Sequence, residues 1–147
     1  MKDIDTLSLI AAQFGVEAAP RDIRPLGNGL INDTYIVSPT HGGKKYVLQR
    51  INNAIFKDVD LLQHNIDCVT AHIRRKLTDA GTADIGRRSL RFLTVKSTGK
   101  SYFQDGESFW RMMEYIPDCV TRETLDAGSA RITGEAFGEF EAMLADI

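Results

Sequence analysis

Two spacings of apolar residues alternate along the chain, and their order lays out its elements. Leu7, Ile10, Ala11 and Phe14 fall at i, i+3, i+4 and i+7, one face of a helix, so residues 1–16 read as a short docking helix. Pro20 and Pro25 mark a turn, after which β-branched and aromatic residues up to Val37 surround Gly27-Asn28-Gly29. Asn-Gly between apolar stretches is a hairpin signal. A second hairpin passes through His41-Gly42-Gly43 into a strand over residues 46–51, which sets Val47 and Gln49 on one face because strand side chains alternate. Over residues 58–77, Leu62, Ile66, Val69, Ile73 and Leu77 step by four, three, four and four. Arg74, Arg75 and Lys76 suit the negative end of the dipole of that predicted long helix, and Gly81 stands just beyond it. Residues 90–96, 101–104 and 109–116 read as three extended runs separated by turns at 97–100 and 105–106, a succession that implies an antiparallel sheet. After Pro117 the chain turns polar, and from about Thr133 a last helix carries Phe137, Phe140, Leu144 and Ile147 on one stripe.

A chain of 147 residues can bury roughly 70% of its unfolded surface, enough for a core without disulfides. Cys68 and Cys119 are the only cysteines and show no CxxC or zinc spacing, so a reducing, cytoplasmic setting is expected. The formal net charge of −2, with basic knots only at Arg74-Arg75-Lys76 and Arg87-Arg88, gives no footprint for nucleic acid. No apolar run approaches the roughly 18 residues of a membrane span, so no membrane partner is expected. His64, Cys68 and His72 fall at i, i+4 and i+8. The helix rise separates the two histidines by about 12 Å, too far for one metal ion. The final helix ends on Asp146-Ile147 with its stripe still running and no Gly or Asn cap. The expectation is therefore an N-terminal part of a larger protein, with a further lobe beyond residue 147 and an uncovered helix stripe that offers a dimer contact.

Gly27-Asn28-Gly29 between two strands places backbone N–H groups where they can cover phosphates. A plain hairpin turn is the other reading of the same residues. A dinucleotide-binding turn is excluded, since its glycines open a helix whereas Asn32-Asp33-Thr34-Tyr35-Ile36-Val37 continues as strand. Three segments in this order, residues 27–35, residues 46–52 and Ala136-Phe137-Gly138-Glu139-Phe140, resemble those of small-molecule kinases of the aminoglycoside phosphotransferase superfamily, and within it the N-acetylhexosamine 1-kinase branch. The resemblance implies an α+β, protein-kinase-like N-terminal lobe: a five- to six-stranded antiparallel sheet, one long packed helix, and helical segments at both ends. Residues 1–116 would form the nucleotide-binding lobe, and residues 117–147 the linker and first helix of a truncated C-terminal lobe.

The implied activity is transfer of the ATP γ-phosphate, with Mg²⁺, to a hydroxyl of a small molecule, and for the branch resembled this is the anomeric hydroxyl of an N-acetylhexosamine. Gly27, Asn28 and Gly29 would form the phosphate-covering turn, with Asn32 where many kinases place a third glycine. Val47 would line the adenine site, main-chain groups of Glu114, Tyr115 and Ile116 would complete it, and Thr34 and Gln49 belong to the same cofactor-binding set. Trp110 and either Met112 or Met113 read as core. The chain departs from the pattern in carrying Gln49 where protein kinases have a strand lysine, and in having no Glu over residues 58–77 to pair with one. Asp60 and Asp67 are the nearest acidic residues, and Arg50 should point to the opposite face from Gln49. Leu30 stands where hexosamine kinases tend to carry His. No HxDxxxxN-like loop occurs, so no catalytic residue is assigned and the chain alone is expected to be inactive. The other readings are a non-catalytic nucleotide- or protein-binding module, or a kinase of the same superfamily acting on homoserine, choline or an aminoglycoside.

Overall fold

The computed structural model describes residues 4–27, 30–122 and 124–147. Along the chain run α1 (Ile4–Gln13), a single 3-10 turn (Pro20–Asp22), β1 (Ile23–Pro25), β2 (Asp33–Val37), β3 (Tyr46–Ile51), α2 (Val59–Asp79), α3 (Ile85–Arg88), β4 (Phe103–Asp105), β5 (Ser108–Glu114) and α4 (Ala127–Leu144). The fold is α+β. The chain divides into two compact units, one of Met1–Asp67 with Leu90–Tyr115 and the other of Cys68–Ser89 with Ile116–Ile147. Among the described residues no helix is long and apolar enough to cross a membrane.

The first unit is built on a five-stranded antiparallel sheet in the order β1-β2-β3-β5-β4. Its alternation separates two faces. Tyr35, Val37, Leu48, Trp110 and Met112 join Leu7, Ile10 and Ala11 of α1, and Phe14 just after it, in one buried core, which is the face that the apolar spacing of residues 7–14 predicts. The alternate positions, Thr34 and Ile36 on β2, Val47 and Gln49 on β3, Arg111 and Met113 on β5, share the other face. Residues 90–96 make a single bridge, Phe92 to Met113, in place of the expected strand. β4 pairs with β5 at Trp110, Phe109 and Ser108 on the side not taken by β3, and Phe92 meets Met113 further along that same side, flanked by Leu93 N–H to the Met112 carbonyl at 2.8 Å and Glu114 N–H to the Arg91 carbonyl at 3.0 Å. β4 itself starts at Phe103; just before it, the Ser101 hydroxyl donates to Asp67 at 2.6 Å.

In the second unit, α2 ends in a double turn closed by Thr82 N–H to the Leu77 carbonyl and Gly81 N–H to the Thr78 carbonyl, both 2.9 Å. Gly81 takes a left-handed φ of +64° there, which a side chain would oppose. His72 donates from Nε2 to the Met143 carbonyl at 2.9 Å and toward the Asp146 carboxylate at 3.1 Å, and accepts at Nδ1 from Arg75, 2.9 Å away. Helix α4 begins at Ala127, six residues before the apolar stripe suggests. Asp126 caps it, its carboxylate accepting from Ser129 N–H at 2.7 Å while Ser129 Oγ accepts from Asp126 N–H at 2.9 Å. The first turn carries the small and polar residues Ala127-Gly128-Ser129, so it shows no apolar period.

Candidate functional site

The α1-distal face of the sheet carries two adjacent rungs of different chemistry. Ile36, Val47 and Met113 lie directly across from one another and form an apolar rung. Two residues along each strand, Thr34, Gln49 and Arg111 form a polar one. Gln49 Nε2 donates to Thr34 Oγ1 at 3.0 Å, and Gln49 Oε1 accepts from both Nε and Nη2 of Arg111, at 2.9 and 2.7 Å. The chain of bonds then leaves the sheet. Arg111 Nη1 donates to Gln63 Oε1 on α2 at 2.9 Å, and Gln63, only 1% exposed, turns its amide nitrogen toward Ser101. The guanidinium also lies 5.6 Å from the Phe92 ring centre, within cation–π range. Burial pulls its pKa below the ordinary arginine value. Arg111 makes no carboxylate contact among the described residues; the groups that hold it are two neutral amides and an aromatic face.

Of the residues singled out from sequence, Thr34 and Gln49 meet in this row and Val47 sits on the neighbouring rung. Gly27 adopts a left-handed φ of +69° with open space where a Cβ would stand, as a turn tip requires. Asn28 and Gly29 lie outside the described residues. Leu26 N–H donates to the Thr34 carbonyl at 2.8 Å, continuing the β1–β2 hairpin toward that tip. Asn32 is tied elsewhere: its Oδ1 accepts from Asn52 N–H at 2.8 Å and fixes the end of β3 against the start of β2. Leu30 is fully exposed. Arg50 faces away from Gln49 and pairs with Asp33 through Nε at 2.7 Å and Nη2 at 2.6 Å.

Glu114 and Tyr115 close the first unit. Their amides donate to the Arg91 and Lys45 carbonyls, each at 3.0 Å, and the Glu114 carboxylate meets Lys44 at 3.2 Å and Arg91 at 3.4 Å. Ile116 belongs to the second unit. Trp110, Met112 and Met113 are buried.

Arg111 and Gln63 are absent from the sequence-derived set. The period of residues 109–116 does put Arg111 opposite in face to Trp110 and Met112, but its place beside Gln49 is decided by the β3–β5 register. Beside Gln63, a cavity of about 460 Å³ opens between α2 and the segment before β4, lined by Asp60, Asp67, Phe92, Lys100 and Tyr102. Asp60 accepts from the Tyr102 hydroxyl at 2.8 Å and from Lys100 at 3.1 Å. The Tyr102 bond, followed by the Lys100 bond, holds the Asp60 carboxyl below its usual range. The Tyr102 bond, ahead of the Asp60 bond, raises Lys100. The sequence matches no protein-family model.

Proposed function

We propose that this chain is the nucleotide-binding lobe of a small-molecule kinase of the aminoglycoside phosphotransferase type, acting on a hydroxyl acceptor such as the anomeric hydroxyl of an N-acetylhexosamine. The observation that carries the reading is the hydrogen-bonded bridge Gln49–Arg111–Gln63, which joins the third strand and its neighbour to the following long helix. Kinases span that interval with a strand lysine and a helix glutamate; here glutamines stand at both ends and the cation is supplied from β5. The two rungs support the same reading. An apolar surface at Val47, Ile36 and Met113 suits a flat base, and the hydrogen-bonding row at Thr34, Gln49 and Arg111 lies one strand repeat away, about 7 Å.

Under this proposal Gly27 opens the turn that covers the phosphates, and Val47 packs against adenine. The amides of Glu114 and Tyr115 are already committed inside the unit, so the part of these two residues falls to their carbonyls. ATP, when bound, supplies the γ-phosphoryl group. The acids that hold Mg²⁺ and orient the acceptor hydroxyl have no counterpart in this sequence and would come from a second lobe. The 147-residue chain should therefore bind ATP without turning it over. The test is a calorimetric titration with ATP and ADP, followed by phosphate transfer from ATP to N-acetylglucosamine, N-acetylgalactosamine, homoserine and choline by protein carrying both lobes. Saturable, mutually competitive binding of ATP and ADP supports the reading. No binding of either at millimolar nucleotide overturns it, and transfer only to homoserine or choline moves the acceptor assignment.

A further inference from the structure

Every partner of the Arg111 side chain among the described residues is neutral. Two of its nitrogens share Gln49 Oε1, a third donates to Gln63 Oε1, and Phe92 covers the group from the side. A guanidinium has five N–H donors. The three bonds here leave two of them free among the described residues, on a side chain that is mostly but not wholly buried. Taking a cation out of water costs free energy that an opposite charge normally offsets. Here the sequence sets a buried glutamine, Gln63, where a glutamate of nearly the same shape would have neutralised it. The positive charge is thus fixed in orientation by two amide acceptors and left uncancelled.

We propose that Arg111 is an anion-binding residue, its free N–H groups taking a di- or triphosphate oxygen pair, with Gln49 and Gln63 as the residues that position it. This deepens the kinase reading and, as regards the nucleotide, rests on it. The chemistry selects phosphate over carboxylate ligands of lower charge, because a planar guanidinium offers two parallel N–H groups to two oxygens and gains with ligand charge. Gln49 contributes orientation, and its neutral amide keeps the charge on Arg111.

The experiment is a titration of the purified protein with pyrophosphate, tripolyphosphate, ATP and adenosine, at low and high salt, on wild type, Arg111→Lys, Arg111→Gln and Gln63→Glu, with folding checked by the emission of Trp110. Wild type should bind tripolyphosphate with an affinity that falls as salt rises. Gln63→Glu keeps the shape and cancels the charge, and should weaken tripolyphosphate and ATP roughly ten- to hundredfold, the worth of a hydrogen bond to a charged group. Arg111→Gln should do the same, and Arg111→Lys should restore part of the loss. The affinity of Gln63→Glu should recover in acid as its new carboxyl protonates, a pH dependence that a loss of packing alone would lack. Absence of tripolyphosphate binding in wild type overturns the proposal, as does an affinity within twofold of wild type in Gln63→Glu. If Arg111→Gln does not fold, Gln63→Glu decides the matter. ATP binding that ignores all three substitutions defeats the Arg111 proposal and leaves the kinase reading standing. Tripolyphosphate binding that needs Arg111, with ATP no tighter and adenosine unbound, defeats the adenine reading and leaves the anion site.

Discussion

Replacing Gln63 by leucine removes one acceptor from the bridge while keeping the volume of a residue that is 1% exposed. Arg111 Nη1 then loses the 2.9 Å bond to Gln63 Oε1. A bond to a charged donor contributes about 1.5–3 kcal/mol. Burying leucine in place of an amide returns about 1 kcal/mol, so Gln63→Leu should destabilise the first unit by about 1 kcal/mol. Arg111→Met is the costlier single change, since it orphans both Gln63 Oε1 and Gln49 Oε1. In the double variant Gln63→Leu/Arg111→Met, one of those two acceptors has been removed. The pair should therefore cost less than the sum of the singles, by about 1.5–2 kcal/mol. Urea denaturation followed through Trp110, the only tryptophan, reads this unit directly. With a slope of about 2 kcal/mol per molar urea, the single change moves the midpoint by roughly 0.5 M. Additive singles, with coupling under about 0.5 kcal/mol, would show that the bridge contributes nothing as a unit.

Leu48 is completely buried at the centre of the sheet, between Tyr35 and Met112; Leu48→Ala should cost about 3 kcal/mol and lower the melting temperature by roughly 10 °C, measured by calorimetry. The Asp126 carboxyl is held below its usual range by the Ser129 backbone bond and then by the Ser129 hydroxyl. Its contribution to α4 is complete above the ordinary carboxylate range, about pH 4, and is lost as pH falls through its lowered folded value. The difference in helical ellipticity between wild type and Asp126→Ala should accordingly be present at pH 6 and vanish in strong acid, and a pH-independent difference refutes the cap. Tyr102→Phe removes the largest cause of the Asp60 shift, so the Asp60 carboxyl should titrate closer to the ordinary value by carbon-detected NMR; an unchanged titration means that Lys100 alone sets it.

The helices with apolar stripes were legible before any coordinate. Leu7, Ile10, Ala11 and Phe14 are buried, and the apolar spacing over residues 58–77 locates α2 to within two residues at either end. The five strands, and the reversals between β2 and β3 and between β4 and β5, follow from turn residues and alternation. The start of α4 did not, because a polar cap and small residues replace the apolar signal there. Residues 90–96 read as an extended run yet make one bridge only, and how far such a run follows a neighbouring strand is not encoded in its local sequence. The polar row was half legible. Gln49 stood out by its departure from a kinase pattern and Thr34 by its motif, whereas Arg111 and Gln63 acquire meaning only when register and helix docking place them against Gln49. A polar residue inside an apolar helix pattern, such as Gln63 beside Leu62, is the one local sign that a buried hydrogen-bonding partner exists.

The two outermost strands, β1 and β4, are three residues long each. β1 finishes in Pro25, which has no N–H to donate, and β4 finishes in Asp105 beside a tight reversal. A stray polypeptide that tried to extend the sheet would find two or three rungs at most on either flank, too few to outweigh the entropy of aligning it. The broad middle of the sheet is thereby free to carry partly buried hydrogen-bonding chemistry on one side without the rims nucleating fibrous growth.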